Sequence, residues 1–310
     1  MRNLILSALL LASAFQTATA QLVTESFGSG ANAFTMDFVT IGNPNNAADT
    51  TGSPNPAGSV AYTYNLGKYE VSRGQIDKAN AAGGLGITMS DLTNYGGNGI
   101  NRPATGVSWY EAATYVNWLN ISTGGTAAYK FVGGTFQLWA PTDAGYNANN
   151  MFRNSLAKYV IASTDEWYKG AYGNLDGTWN NYPTGSDSVP TAVTGGTAAN
   201  TAVYGQSAPA DINDAGGLSP HGTMGQGANA VEWMETSYDG SNDTAGENRE
   251  LRGGNFGDFS FFLSTSVRES IDPARKEFSM FGFRVASVPE PSSLSLLALG
   301  AVVLAMRRKR

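Results

Sequence analysis

Activating oxygen, cleaving an ester or holding a redox metal needs thiols, imidazoles, or a hydroxyl with its base. This chain of 310 residues has no cysteine and one histidine, His221, in "LSPHGTMG". Without thiolates there is no ligand set that selects copper(I), and one imidazole cannot build a histidine-rich iron or zinc site. No nucleophile elbow and no P-loop sequence occurs, and a single histidine leaves little room for a hydrolase triad. The Gly-rich "FGSGANA" at 27–33 lacks the βαβ pattern and downstream acid of a dinucleotide loop. His221 therefore reads as a loop residue hydrogen-bonded to backbone. Carboxylates are plentiful, and the adjacent Asp165 and Glu166 read as a helix cap and a solvated face.

The overall charge narrows the partners. Formal charge is −6 for the whole chain. It falls to about −11 once the single positive charge of the leader and the four of the tail are removed, which favours solubility. An acidic body argues against nucleic acid, whose binding rests on neutralising phosphates. With no cysteine the fold is held without disulfides. The 38 glycines, with abundant Asn, Thr and Ser, point to long turns and irregular loops.

Both ends read as sorting segments. "MRNLILSALLLASAFQTATAQLV" has Arg2, an apolar run from Leu4 to Phe15 and the small-residue site Ala18-Thr19-Ala20, so residues 1–20 read as a secretory signal cut after Ala20. At the other end, Pro289 and Pro291 precede an apolar run from Leu294 to Met306 and the basic Arg307–Arg310. Thirteen helical residues span roughly 20 Å, short of the ~30 Å hydrocarbon core, so the run is a marginal span eased by snorkelling arginines. Pro-Glu-Pro, a short apolar helix and an arginine-rich end resemble the PEP C-terminal sorting signal (PEP-CTERM) of Gram-negative bacteria. The resemblance covers 288–310. It implies transient anchoring in the inner membrane, removal of the tail by an exosortase, and delivery to the cell surface or extracellular matrix.

The elements that would position a site lie between these ends. Residues 21–33 read as linker, and 34–287 as one domain without an internal boundary. Phe34 to Ile41 reads as a strand, and Val60 to Val71 as an alternating one. Ser72 caps a short helix through Ala79. Ser108 and Glu111 form a capping box for the clearest helix, whose apolar stripe is Ala112, Tyr115, Val116 and Leu119. Ser163 or Thr164 caps a turn or two from Glu166 to Ala171. From 174 to 227 the chain reads mostly as loop.

Eight blocks in this order, "FVTIG", "YNLGKYEVSRGQ", "RPATGVSWYEAATYVNWLN", "IASTDEWYKGAYGN", "NNYPTG", "GANAVEWMET", "RELRGGNF" and "FGFRVAS", resemble the formylglycine-generating enzyme (sulfatase-modifying factor) family over residues 34–286. The resemblance implies an α+β, compact, loop-rich C-type-lectin-like fold around a small twisted sheet. Family enzymes oxidise a target cysteine using copper(I) held by two thiolates just after the "RGGSW" block. Here "RGGNFGDFSFFL" puts Asp258 and Leu263 at about those places. A carboxylate and a leucine cannot replace two thiolates on a soft ion, so no copper is expected.

The same resemblance implies a calcium site. In the family's "GNVWEW" block the Asn and Glu side chains bind calcium, and Asn229 and Glu232 keep the i, i+3 relation, with Val231 in place of a tryptophan. Hard oxygen ligands suit that ion. The competing reading pairs Glu232 with Arg252 or Arg284. Asn200 matches the second calcium site loosely, and Asp211 to Asp214 is too irregular to align. "DGSNDTAGE" (239–247) reads as an exposed loop. Arg252, Arg268 and Arg284 read as clamps on buried carboxylates, with Glu70 as a partner. "NIS" at Asn120 fits a glycosylation sequon but has no meaning in a bacterial chain.

The chain thus reads as an exported surface or matrix protein whose domain is non-catalytic and binds a ligand, a glycan or another surface protein. A divergent oxidase-family enzyme with a rewired site, and a purely structural matrix component, stay open beside it. Mass spectrometry of the product secreted by an exosortase-containing host should show an N-terminus at Gln21 and loss of the residues after Pro-Glu-Pro. An intact Arg307–Arg310 end on that product would overturn the sorting assignment.

Overall fold

The computed structural model describes residues 21–276 and 279–288; the leader and the apolar tail lie outside the described residues. The chain enters along the edge of a sheet. Leu22–Phe27 (β1) and Phe34–Ile41 (β2) pair antiparallel in unbroken register, Leu22 opposite Val39 and Phe27 opposite Phe34. The linker expected over 21–33 is therefore corrected: Leu22–Phe27 is a strand and Gly30–Asn32 a 3-10 turn. The alternation of β1 shows why, since Phe27 is buried against Phe34 while Leu22, Thr24 and Ser26 face out.

Tyr64–Gly67 (β3) follows, shorter than the expected strand because Asn45 and Asp49 draw Val60 and Ala57 into a separate loop by backbone bonds. Helix α1 spans Arg73–Gly83 and outlasts its expected end at Ala79, stopping where Gly84 takes the left-handed conformation. Helix α2 spans Trp109–Ser122. Lys130–Val132 (β4) and Thr135–Gln137 (β5) form a hairpin. Tyr159–Ile161 (β6) leads into helix α3, Thr164–Tyr172.

The expected loop from 174 to 227 contains only the two-residue strands Thr191–Ala192 (β7) and Thr201–Ala202 (β8). Then come Val231–Ser237 (β9), Arg249–Arg252 (β10), Glu269–Ile271 (β11), Phe281–Gly282 (β12) and Val285–Ser287 (β13).

Two sheets organise these pieces. One is antiparallel throughout, in the order β1-β2-β3-β13-β6; the other runs β11-β10-β9-β12, with β12 parallel to β9. All three helices begin with a serine that accepts from the N3 amide while the N3 side chain returns the bond: Ser72 with Gln75, Ser108 with Glu111, and Ser163 with Glu166. Each such cap stabilises its helix by about 1 kcal/mol. Ala112, Tyr115, Val116 and Leu119 of α2 are buried in the main core, as the stripe requires. Trp109 is packed edge-on against Tyr129 and Phe136, and its indole N–H donates to Met234 O at 3.0 Å. No helix among the described residues is long and apolar enough to cross a membrane.

Candidate functional site

The closing loop after β10 is a tight one. Gly253 and Gly254 both have positive φ, and a Cβ on Gly253 would sit 2.8 Å from Gln226 O, so only glycine lets the two backbones approach this closely. The loop then places Asp258 half-buried, its Oδ2 accepting from the Asn255 amide at 2.9 Å and from Asn255 Nδ2 at 2.5 Å. Burial raises the Asp258 pKa, and Glu269 on β11 is raised by burial and by the Asp258 charge. Leu263, at about the place where the resemblance implies a second thiolate, is fully buried with Ala202 and Ala228. Phe256 is buried too, tilted against Tyr95 with ring centroids 5.7 Å apart. Phe259 and Phe261, on the short 3-10 turn, point outward at 77% and 63% exposure. Both rings therefore stand in solvent and form the outer rim of the closing loop.

Asn229 and Glu232 are both buried, and both are committed to the protein. Glu232 receives Arg284 Nη2 on Oε1 at 2.5 Å, and Arg284 Nε at 2.7 Å and Trp167 Nε1 at 2.8 Å on Oε2. Asn229 Oδ1 accepts the Ala210 amide at 2.8 Å, and its Nδ2 donates to Glu70 Oε2 at 2.6 Å. A guanidinium already lies across the carboxylate that a cation would need. The pair does not fit a calcium ion, and the competing ion-pair reading describes Glu232. Ala228 and Asn229 both lie at positive φ, a strained turn held by Ala228 N to Gly253 O and Phe256 N to Asn229 O.

Glu70 corrects another expectation. It is not clamped by an arginine but accepts from Asn229 and from the Ala230 amide at 2.9 Å. Burial, reinforced by the nearby Glu232 charge, pushes its pKa up to about 8. The arginines themselves behave as expected. Arg252 and Arg268 share Glu250, and Arg284 holds Glu232. Arg252 also donates to Ser53 O, and Arg268 to Tyr238 O.

Sequence reasoning missed the clamp formed by Arg153, which binds Glu166 through both Nη atoms at 2.9 Å and Glu235 through Nε at 2.7 Å. Glu166 is consequently buried rather than solvated, and despite that burial Arg153 brings its pKa down to about 2. The partners lie far apart in sequence, and no local pattern announces them.

The remaining candidates are structural. His221 is buried, and neither ring nitrogen has a hydrogen-bond partner among the described residues, against the expected backbone bond. Burial and the Lys169 charge lower its pKa to about 4. Asn120 is buried, bonding Tyr159 O and accepting from the Lys158 and Tyr159 amides, so the sequon is closed to any sugar. Asn200 accepts from the Thr184 hydroxyl, and Asp211 faces Arg102 at 3.4 Å. Asp239 caps its own exposed loop by accepting from Ser237 Oγ and the Ser241 amide.

Among the described residues, two main sheets, three short capped helices and long bonded loops closed by a glycine turn define a formylglycine-generating-type scaffold, in a chain that has no cysteine. The chain belongs to the sulfatase-modifying factor enzyme 1-like domain family, whose model matches residues 29–288. Residues 287–310 match the PEP-CTERM protein-sorting motif, which marks export to the surface or extracellular space of Gram-negative bacteria and recognition by exosortase machinery.

Solved structures share the fold, which is C-type-lectin-like, α+β and loop-rich. Treponema denticola variable protein 1 aligns at 18% identity and TM-score 0.58, covering 86% of this chain and 99% of its own. CarF aligns at 18% and 0.59, covering 82% and 98%. PvdO from Pseudomonas aeruginosa aligns at 17% and 0.53, covering 86% and 98%. A search of curated proteins found no match.

Two measurements follow from the buried cluster. Glu232→Gln leaves Arg284 buried without its counter-charge and should destabilise the domain by about 3–5 kcal/mol. The loss should be the same in excess calcium and in chelator. A calcium-dependent rise in melting temperature that Glu232→Gln abolishes would restore the ligand role. Glu70, with its folded pKa raised above the unfolded one, binds its proton more tightly when folded. Stability should therefore fall as pH rises from about 4.5 to 8, at up to ~1.4 kcal/mol per pH unit. His221 has the opposite slope, confined to the range below about 6.5. Denaturant titrations between pH 6.5 and 8 should show the falling limb in the native chain and not in Glu70→Gln; equal slopes in both would refute the assignment.

Proposed function

We propose that this family member is a non-catalytic, ligand-binding protein of the cell surface or extracellular matrix, and that it meets its ligand through the turn carrying Phe259 and Phe261. The observation that carries this reading is the conversion of the closing loop. Where the family's chemistry requires two thiolates, Leu263 is a buried plug and Asp258 is tied to Asn255, while two phenylalanines stand in solvent beside them. Large aromatic rings left exposed on a rigid, well-bonded loop are characteristic of contact surfaces, because they bring apolar area at little entropic cost. The turn is fixed by Phe262 N to Phe259 O at 3.0 Å and Ser264 N to Phe261 O at 3.2 Å. The ligand is a glycan or a surface protein in contact with that rim. The tail supplies the route: a transient inner-membrane anchor, cut by an exosortase.

A second reading, a rewired enzyme, draws on Asp258 and Glu269, two carboxylates whose raised pKa values suit proton transfer. It predicts turnover lost in Asp258→Asn. The purified mature protein, with or without copper, should not oxidise a cysteine-containing sulfatase-type peptide above a metal-free blank. Labelled mature protein should bind producing cells from which its own gene has been deleted. The Phe259→Ala/Phe261→Ala variant should melt within ~1 °C of the native chain yet lose most of that binding, since substitutions at such exposed sites cost little stability. Binding that is indifferent to both rings would remove this face from consideration.

A further inference from the structure

A cavity of about 360 Å³ opens between β2, the first turn of α1 and the loops at 100–101 and 212–213, and it shares no lining residue with the Phe259–Phe261 turn. We propose that it is a binding site for a neutral carbohydrate.

The first argument is hydrogen-bonding capacity. Tyr69, Asn101, Asn213 and Thr35 line the cavity, and none has a side-chain hydrogen bond to another described residue; Thr35, Asn101 and Asn213 are exposed, so a sugar would replace water on them. Asp37 spends one carboxylate oxygen on the Thr24 hydroxyl at 2.6 Å, and its other oxygen has no partner among the described residues. Each sugar hydroxyl donates one hydrogen bond and accepts others. Amides, hydroxyls and a carboxylate oxygen set side by side match that pattern.

The second argument is charge. The lining carries one carboxylate, Asp37, and one ammonium, Lys78, which gives a proton to Ala33 O at 2.7 Å. No net field favours an anion. The helix start offers none either, because Ser72 and Gln75 consume each other's bonds and the Gly74 amide donates to Ile100 O at 2.8 Å. The apolar lining, Phe34, Ile100 and Ile212, is interleaved with polar groups, as suits the mixed faces of a sugar ring better than a purely apolar ligand.

The third argument is preorganisation. The walls are bonded to one another: Ile212 N donates to Asn101 O at 2.9 Å, and Gln75 Nε2 donates to Thr35 O at 3.0 Å. Binding need not order these loops, which keeps its cost low.

The experiment is saturation-transfer NMR on the mature chain with millimolar lactose, cellobiose, maltose, mannobiose and chitobiose, and with inorganic phosphate as a competitor. We expect transfer to at least one disaccharide, unaffected by phosphate. Asn101→Ala/Asn213→Ala should weaken it roughly tenfold, because both amides lose sugar bonds and no protein bonds. Thr35→Trp, which fills the cavity from an exposed strand position, should abolish it. Both variants should keep the native melting temperature. Transfer to none of the five sugars, displacement by phosphate, or transfer that survives either variant overturns the proposal.

Discussion

One guanidinium joins the parts of this molecule. Arg284, immediately before β13, is fully buried and spends its N–H groups on Glu232 of β9, on Gly67 O at the end of β3 at 2.9 Å, and on Met224 O at 3.0 Å. It therefore ties the four-stranded sheet, the five-stranded sheet and the long loop to a single point. Taking such a pair out of water is expensive, and the attraction repays it only when the remaining donors and acceptors are satisfied. Here Trp167 Nε1 completes Glu232, and two carbonyls take donors of Arg284. A planar fork of five donors can do this, whereas a lysine ammonium could not reach three elements at once.

The same device recurs because the sheets are too short to hold themselves. Ten of the thirteen strands among the described residues have only two to four residues and bring few ladder bonds, and there are no disulfides. Arg153 gathers Glu166 and Glu235, so the cap of α3 is locked to β9. Arg249 lies with its guanidinium 4.5 Å from the Trp109 ring and 4.0 Å from that of Phe152. Burial lowers its pKa to about 10, yet it stays charged and bonds Ala245 O and Glu247 O. Buried charge in this fold takes over work that longer sheets do elsewhere.

What was legible in the sequence was local. A capping box lies within four residues, so all three helix starts could be read, and an amphipathic stripe such as Ala112–Leu119 repeats within two turns. Strand β1 was legible in principle, since Val23, Glu25 and Phe27 alternate with outward residues, but its polar, Gly-flanked composition resembles a linker. Pairings across the chain were not legible. The choice between a cation and Arg284 for Glu232 depends on an arginine 52 residues away. Glu70 has an arginine within electrostatic range, yet its bonds go to Asn229 and Ala230, because a strained turn at Ala228–Asn229 presents those groups first. His221 shows the reverse limit: its loop was recognisable, but not the burial that leaves both nitrogens without hydrogen-bond partners among the described residues.

The distribution of these pairings also leaves the closing loop outside the network that holds the sheets. None of the buried ion pairs uses Asp258 or Leu263, and the loop that carries them is anchored from behind by Gly253, Asn255 and Phe256. Leu263 adds apolar burial against Ala202 and Ala228, and Asp258 makes an Asx-type turn bonded to Asn255. Neither residue takes a bond from Arg284, Arg153 or Arg252. The ion pairs that join the sheets and the contacts of the closing loop are thus carried by different residues. The tail marks the chain for export, and the frame that the buried arginines hold does not depend on the loop that carries Phe259 and Phe261.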